Sequence, residues 1–300
     1  MTAYTVGAAS VTRIEEVLER GFEPAAALPG FDPALFRRVP QLAGPDYYDA
    51  ASGKLMSSIQ SWLIRLGGRT ILVDTCSGNG KTRALPLFQR FHRLDLPYLE
   101  NLRAAGVEPE DVDLVVNTHL HIDHVGWNTR REGEDWVPTF PNARYLIGRA
   151  EYEHWSEGGA GRRLFPQNVD VIRDSVDPVV AAGLVDFIEP GHEIAPGLVA
   201  EAAPGHTAHQ LMLSYTSPEG DFVCSADVMN QPIQIYAPEL NSWFCEDAEA
   251  ARATRLSLLE RCARTGALLL PCHFGRPHAG FIHREGAGYR FEPAIPDRRT

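Results

Sequence analysis

Asn117-Thr-His119-Leu-His121-Ile-Asp123-His124-Val-Gly126-Trp-Asn128 is the stretch on which the reading of this chain turns. Four side chains able to hold a metal fall within six residues, His119, His121, Asp123 and His124. They follow directly on Val112-Asp-Leu-Val-Val-Asn-Thr118, a short apolar, β-branched run of the kind that forms a buried strand. A loop leaving the end of a strand is where a rigid sheet can aim several side chains at one point. Imidazole and carboxylate together suit zinc, iron or manganese. In an extended segment positions 119, 121 and 123 face the same way, and a turn after 123 would bring His124 round to them. Gly126 supplies backbone freedom where the chain has to turn.

Upstream of that run, Ile59–Leu66 and Thr70–Asp74 read as two strands joined by a Gly67-Gly68 turn. Leu96–Ala105 has helical spacing and ends at Gly106. Downstream, Arg144–Ile147 and Leu184–Ile188 read as strands around a helical region at Val169–Ala182. Leu198–Ala202, Gln210–Tyr215 and Asp221–Ser225 follow as strands, then a helix over Asp247–Thr265 closed by Gly266. Ala267–Leu270 reads as a strand and Gly288–Glu292 as an edge strand. Hairpins mixed with strand–helix alternation predict layered α/β with mixed sheets, not a doubly wound parallel sheet. Residues 1–300 read as one domain, with residues 1–55, proline-rich and weakly periodic, as an arm over the body carrying one short helix near Ile14–Arg20.

Three further ligand types stand at similar junctions. Pro204-Gly-His206-Thr precedes the Gln210–Tyr215 strand, Cys224-Ser-Ala-Asp227 ends another, and Pro271-Cys-His273-Phe follows a third. One loop histidine alone is usually a solvated polar group; their joint recurrence beside compact apolar strands points to a shared centre. His278 and His283 read as surface or supporting groups. Trp62, Trp127, Phe140, Trp155 and Phe274 read as core before pocket wall, and Cys272 as a buried inert thiol.

Composition narrows the rest. The 300 residues include 28 basic and 39 acidic side chains, a net charge of −11, which disfavours nucleic acid and anionic membrane surfaces as partners. No apolar run approaches the length of a membrane span, and the first ten residues lack a secretory pattern. Five scattered cysteines without a C-x-x-C fit a reducing, cytoplasmic setting.

His119-x-His121-x-Asp123-His124, followed in order by His206, Asp227 and His273, resembles the metallo-β-lactamase-fold hydrolase superfamily. The resemblance runs from about Ile59 to His273 and implies a four-layer αβ/βα sandwich of two mixed β-sheets. It implies that His119, His121 and His206 hold a first metal, that Asp123, His124 and His273 hold a second, and that Asp227 bridges them. The two divalent ions would be zinc, with iron or manganese as alternatives. Asp at 227 departs from members with a cysteine ligand, and His121 from iron flavoproteins with a glutamate there. Asp123–Asn128, Pro138–Tyr145 and His273–Gly280 are similar to the branch of methyl-parathion-hydrolase-like enzymes and quorum-quenching lactonases. Pro204-Gly-His-Thr-Ala-His209 departs from the usual P-G-H-T-x-G-H.

What this implies is a dinuclear hydrolase that uses a metal-bridging hydroxide on a small ester or lactone, with Asp123 orienting the water or carrying its proton. Organophosphate triester or β-lactam hydrolysis is the alternative, ahead of a redox or non-catalytic metal-binding role. The branch also implies a homodimer acting on a small molecule.

Overall fold

Period-two alternation sorts the central strands of this computed structural model, which describes residues 2–297, between separate cores. In Lys54–Leu66, Trp62, Ile64 and Leu66 enter one core while Leu63 enters another. Ile71 and Val73 oppose Leu72 in Arg69–Val73, and Leu114 and Val116 oppose Val115 in Leu114–Asn117. On the far side, Leu268 and Leu270 join the first core and Leu269 turns away from it. The shared core therefore lies between two sheets. The outer face of one packs against Tyr98–Ala104 and the helical stretch 169–181; the outer face of the other packs on Ala248–Thr265. This is the predicted αβ/βα sandwich.

The first sheet runs in the order Ala3–Val6, Ala9–Arg20, Lys54–Leu66, Arg69–Val73, Leu114–Asn117, Arg144–Gly148, Val185–Ile188, with Tyr48–Asp49 paired beside Lys54–Leu66. Its last four strands are parallel and the rest antiparallel. The second sheet runs in chain order from Glu193–Ala195 to Gly288–Pro293, and only Phe222–Ala226 and Leu268–Pro271 pair parallel. Both sheets are mixed, as expected. Asp247 caps the long helix by accepting from the N–H groups of Glu249 and Ala250, and Gly266 closes it at φ +70°. Among the described residues no helix is long and apolar enough to cross a membrane.

The helix expected near Ile14–Arg20 is instead the strand Ala9–Arg20, paired along Lys54–Leu66. The charged run Glu15-Glu16 hides its alternation, because the strand carries a bulge there. Glu15 pairs with Gln60 and Val17 with Ile59, which leaves Glu16 as the extra residue. The helical stretch 169–181 contains one π-helical segment, Ile172–Val176. The strand Gly280–Glu285 went unread in the sequence.

At the edge below the parallel strands two loops touch backbone to backbone. A Cβ on Gly126 would lie 1.9 Å from the Ser77 carbonyl, and one on Gly78 would lie 2.7 Å from Gly126. Gly126→Ala should therefore destabilise the protein by about 1–3 kcal/mol, seen as a lower denaturant midpoint. An unchanged midpoint would show that the two loops separate freely.

Candidate metal centre

The carboxyl ends of parallel strands in both sheets open on one edge, and the seven residues singled out above converge there. Leu114–Asn117 delivers His119 to His124, Phe222–Ala226 delivers Asp227, and Leu268–Pro271 delivers His273. His206 comes from the loop before Leu211–Tyr215, whose first N–H donates to the Thr118 carbonyl at 2.8 Å. The backbone is strained where it turns into this edge. Asp74, Cys76 and Ala226 are non-glycine residues at φ +55°, +50° and +46°. Ser225 is a bulge residue, since Cys224 pairs with Leu270 and Ala226 with Pro271, and it re-aims the chain just before Asp227.

The ligand atoms fall into overlapping groups, each within 4.8 Å: His119, His121 and His206; His119, His124 and Asp227; Asp123, His124 and His273. Simple alternation fails at one position. The chain turns at Ile122–His124, so Asp123 joins His124 and His273 and not His119 and His121. Asp227 divides its oxygens between the two sets. Oδ2 is 3.2 Å from His206 Nε2, while Oδ1 is 3.0 Å from His273 Nε2 and 3.3 Å from His124 Nε2. Asp123 lies 3.8 Å from both His124 and His273, and its side chain is 20% exposed where Asp227 is 5%.

Groups behind the rings decide which nitrogen faces inward. His124 Nδ1 donates to Asp74 Oδ2 at 2.9 Å, and His273 Nδ1 to the Ser58 carbonyl at 2.8 Å. Asp74 also accepts from Thr118 N and Thr118 Oγ1, each at 2.8 Å. The Thr118 hydroxyl, its own hydrogen given to Asp74, accepts from His119 Nδ1 at 3.1 Å. Each of these rings therefore presents a bare Nε2. His121 is reversed: its Nδ1 faces His206 Nε2 at 3.0 Å.

This donor set fits a cation. His119 Nε2, His124 Nε2 and Asp227 Oδ1 are fully buried without a hydrogen-bond partner, an expensive condition that a metal ion relieves. Burial, with neighbouring imidazoles, holds His119 and His121 well below the ordinary histidine range, and burial brings His206 down to about 4. Those three rings are neutral with their lone pairs available. Burial also opposes charge on His124 and His273, but Asp227, with Asp74 beside His124 and Asp123 beside His273, outweighs it and raises both. Asp227 in turn is held well below the carboxylate range against its own burial by His273, His124 and His206. Positive charge is demanded at this point, and divalent ions could supply it in place of protons.

The cluster floors a cavity of about 200 Å³ walled by aromatic and aliphatic groups, among them Phe22, Leu28, Phe91, Trp155, Trp243 and Phe244. All five aromatics singled out above are core, Trp62, Trp127, Phe140, Phe274 and Trp155, and Trp155 also walls the pocket. His278 is buried, donating Nδ1 to the Phe274 carbonyl at 2.8 Å; His283 pairs on the surface with Glu292. Cys272 is buried behind His124, 3.8 Å from Asp74, and burial pushes its thiol up to about 12.

Three supporting carboxylates were not singled out from the sequence. Asp74 ends a strand, a position that could have flagged it. Glu16, turned inward by its bulge, accepts from Ser77 N, Gly78 N and Trp127 Nε1 at 2.8–3.0 Å. Glu151 ties two ligand loops together, accepting from Leu120 N at 3.1 Å and Thr207 Oγ1 at 2.8 Å. Nothing in local sequence separates these two from solvated glutamates.

Residues 57–273 match the family model described as metallo-beta-lactamase superfamily. N-acyl homoserine lactonase AttM of Azorhizobium caulinodans is 28% identical over 189 residues, 58% of this chain and 64% of that protein. The AttM of Rhizobium johnstonii is 38% identical over 133 residues, 40% and 43% of the two chains. The matches thus span less than two thirds of these curated relatives. Among solved structures, the hydrolase AbOPH superposes with a TM-score of 0.82 at 22% identity over 99% of this chain and 98% of its own. AidC, a dizinc quorum-quenching lactonase, superposes at 0.79 with 18% identity and the same coverage. At such identities these two likenesses speak for the fold.

Two outcomes follow from the geometry. Asp74→Asn should weaken zinc binding about 10–100-fold in competition with a chelator, because the carboxylate that aligns His124 and Thr118 is lost. An unchanged affinity would mean that Asp74 is only a loop anchor. His278 is brought down to about 3 by burial and then by Arg13, so the unfolded chain takes up its proton below pH 6.5 and the folded one does not. That stability is present above pH 6.5 and is lost as pH falls towards 3. His278→Asn, which tolerates the φ of +73° there, should make the acid limb of the stability–pH profile shallower. A limb of unchanged slope would assign the acid sensitivity to other groups.

Proposed function

The chain belongs to the metallo-beta-lactamase superfamily, and on that premise we propose that it is a dinuclear metal-dependent hydrolase opening a small ester or lactone. The observation that carries this reading is the division of Asp227 between two histidine sets on the floor of an apolar cavity. The lactonase relatives support the lactone class, and the dizinc neighbour supports zinc.

In this reading His119, His121 and His206 would hold one ion and Asp123, His124 and His273 the other, with Asp227 shared between them. Bound there, divalent ions would supply water of near-neutral pKa and Lewis acidity towards a carbonyl. The chain's own residues do the rest. Asp74 and the Ser58 carbonyl keep the His124 and His273 rings from rotating. Asp123, the more exposed of the two acids, is placed to receive a proton from the attacking water on a carboxylate oxygen. It can return that proton to the departing alkoxide as the C–O bond breaks, so an ester yields an acid and an alcohol and a lactone a hydroxy acid. The aromatic wall takes the apolar part of the substrate and keeps bulk water from the floor. Residues 1–300 act as one domain in this scheme, since Ala9–Arg20 is a strand of the first sheet and supplies Glu16.

Metal analysis followed by a panel of lactones, aryl esters, phosphotriesters and β-lactams tests the proposal. Two bound ions and preference for a lactone or ester are expected. His121→Ala and Asp227→Ala should lose metal and lower kcat/KM on the order of 100-fold or more. A fully active metal-free variant, or preference for a phosphotriester over every lactone, would overturn the assignment.

A further inference from the structure

Among the described residues, three that line the cavity carry a buried side-chain oxygen without a hydrogen-bond donor: Asp227, Asn230 and Gln231. The ions proposed above account for Asp227 Oδ1; nothing yet accounts for the other two. Their orientation follows from the bonds their amide nitrogens make. Asn230 Nδ2 donates to Asp227 Oδ2 at 2.8 Å, and Gln231 Nε2 donates to the Met56 carbonyl at 3.1 Å. Flipping either amide would set oxygen against oxygen, so Asn230 Oδ1 and Gln231 Oε1 are the acceptors left over.

The segment is also held stiffly. The backbone N–H groups of Asn230 and Gln231 both donate to Gln234 Oε1, at 2.8 and 3.1 Å, and Gln234 Nε2 donates to the Leu240 carbonyl at 3.0 Å. Gln231 itself is 5% exposed. The cavity's own arginine does not serve these oxygens, since Arg90 is engaged by Glu19 at 2.5 and 3.0 Å. A rigid, partnerless acceptor beside a reaction centre is costly unless a ligand supplies the donor.

We propose that Asn230 and Gln231 are specificity-determining residues that accept a hydrogen bond from the substrate, so the preferred ester or lactone carries an N–H or O–H next to the bond that is cleaved. This rests on the hydrolase reading given above. A site built around such acceptors discriminates strongly against an analogue lacking the donor, because their desolvation then goes uncompensated. A triester or simple alkyl lactone has no such donor; a lactone with a secondary amide beside its carbonyl has one.

The test compares N-hexanoyl homoserine lactone with its α-hexanoyloxy isostere, in which oxygen replaces the N–H, on the zinc-loaded enzyme. The amide should be favoured about tenfold or more in kcat/KM. Gln231→Met, similar in length but without the carbonyl, should bring that ratio towards one, and Gln231→Glu, which keeps an acceptor, should restore part of it. The ratio is the readout because loss of fold or metal lowers both substrates alike. Calorimetry with the two ring-opened products gives a second arm that needs no turnover. Turnover of neither lactone, with no ester of the panel above cleaved, would sink the hydrolase reading while this binding arm still decides the inference. Equal handling of amide and isostere by the wild type, in turnover or in binding, would overturn it.

Discussion

Everything at the open edge of this molecule depends on one electrostatic constraint: five imidazoles and two carboxylates are gathered in a buried place where most cannot reach water. Desolvation alone would disperse such a set or neutralise it. Asp227 meets the constraint locally, one oxygen towards His206 and the other towards His124 and His273. Three inward-facing atoms, His119 Nε2, His124 Nε2 and Asp227 Oδ1, are still left without a hydrogen-bond partner. Cations would satisfy such a geometry, and their binding would then be coupled to the stability of the edge.

The sheets have to be distorted to bring these groups together. A bulge at Ser225 and left-handed residues at Asp74, Cys76 and Ala226 lie where strands give way to the site. The regular sandwich behind them, with its shared apolar core, is what can sustain that local strain. Gly78 and Gly126 permit the backbone contact that ties the loop of Asp74 to the loop of His124.

A second layer of charge holds the first in place. Asp74 orients His124 directly and His119 through Thr118, Glu16 clasps the loop beyond Asp74, and Glu151 joins the loops of His119 and His206. Burial raises both Glu16 and Glu151, and their hydrogen bonds from backbone, indole and hydroxyl groups oppose the rise. The N-terminal segment, read from its prolines as a covering arm, in fact contributes a sheet strand and one of these braces. Its alternation is interrupted by the very bulge that turns Glu16 inward.

Alternating apolar strands and the compact H-x-H-x-D-H run were legible because they are local: strand period is two, and metal ligands at close spacing cannot easily arise from packing needs alone. His206, Asp227 and His273 were legible for a related reason, each standing beside a short apolar strand. Local patterning was thus enough for the layered α/β class, the positions of most central strands and the seven candidate ligands. The folded chain turns Asp123 away from the side that strand alternation would give it, in keeping with the grouping that the resemblance implied, and it alone brings Glu16, Glu151, Asn230 and Gln231 to the site. Those four act through partners far along the chain or through unpaired atoms, and a hydrogen bond between distant residues leaves no spacing in the sequence to read.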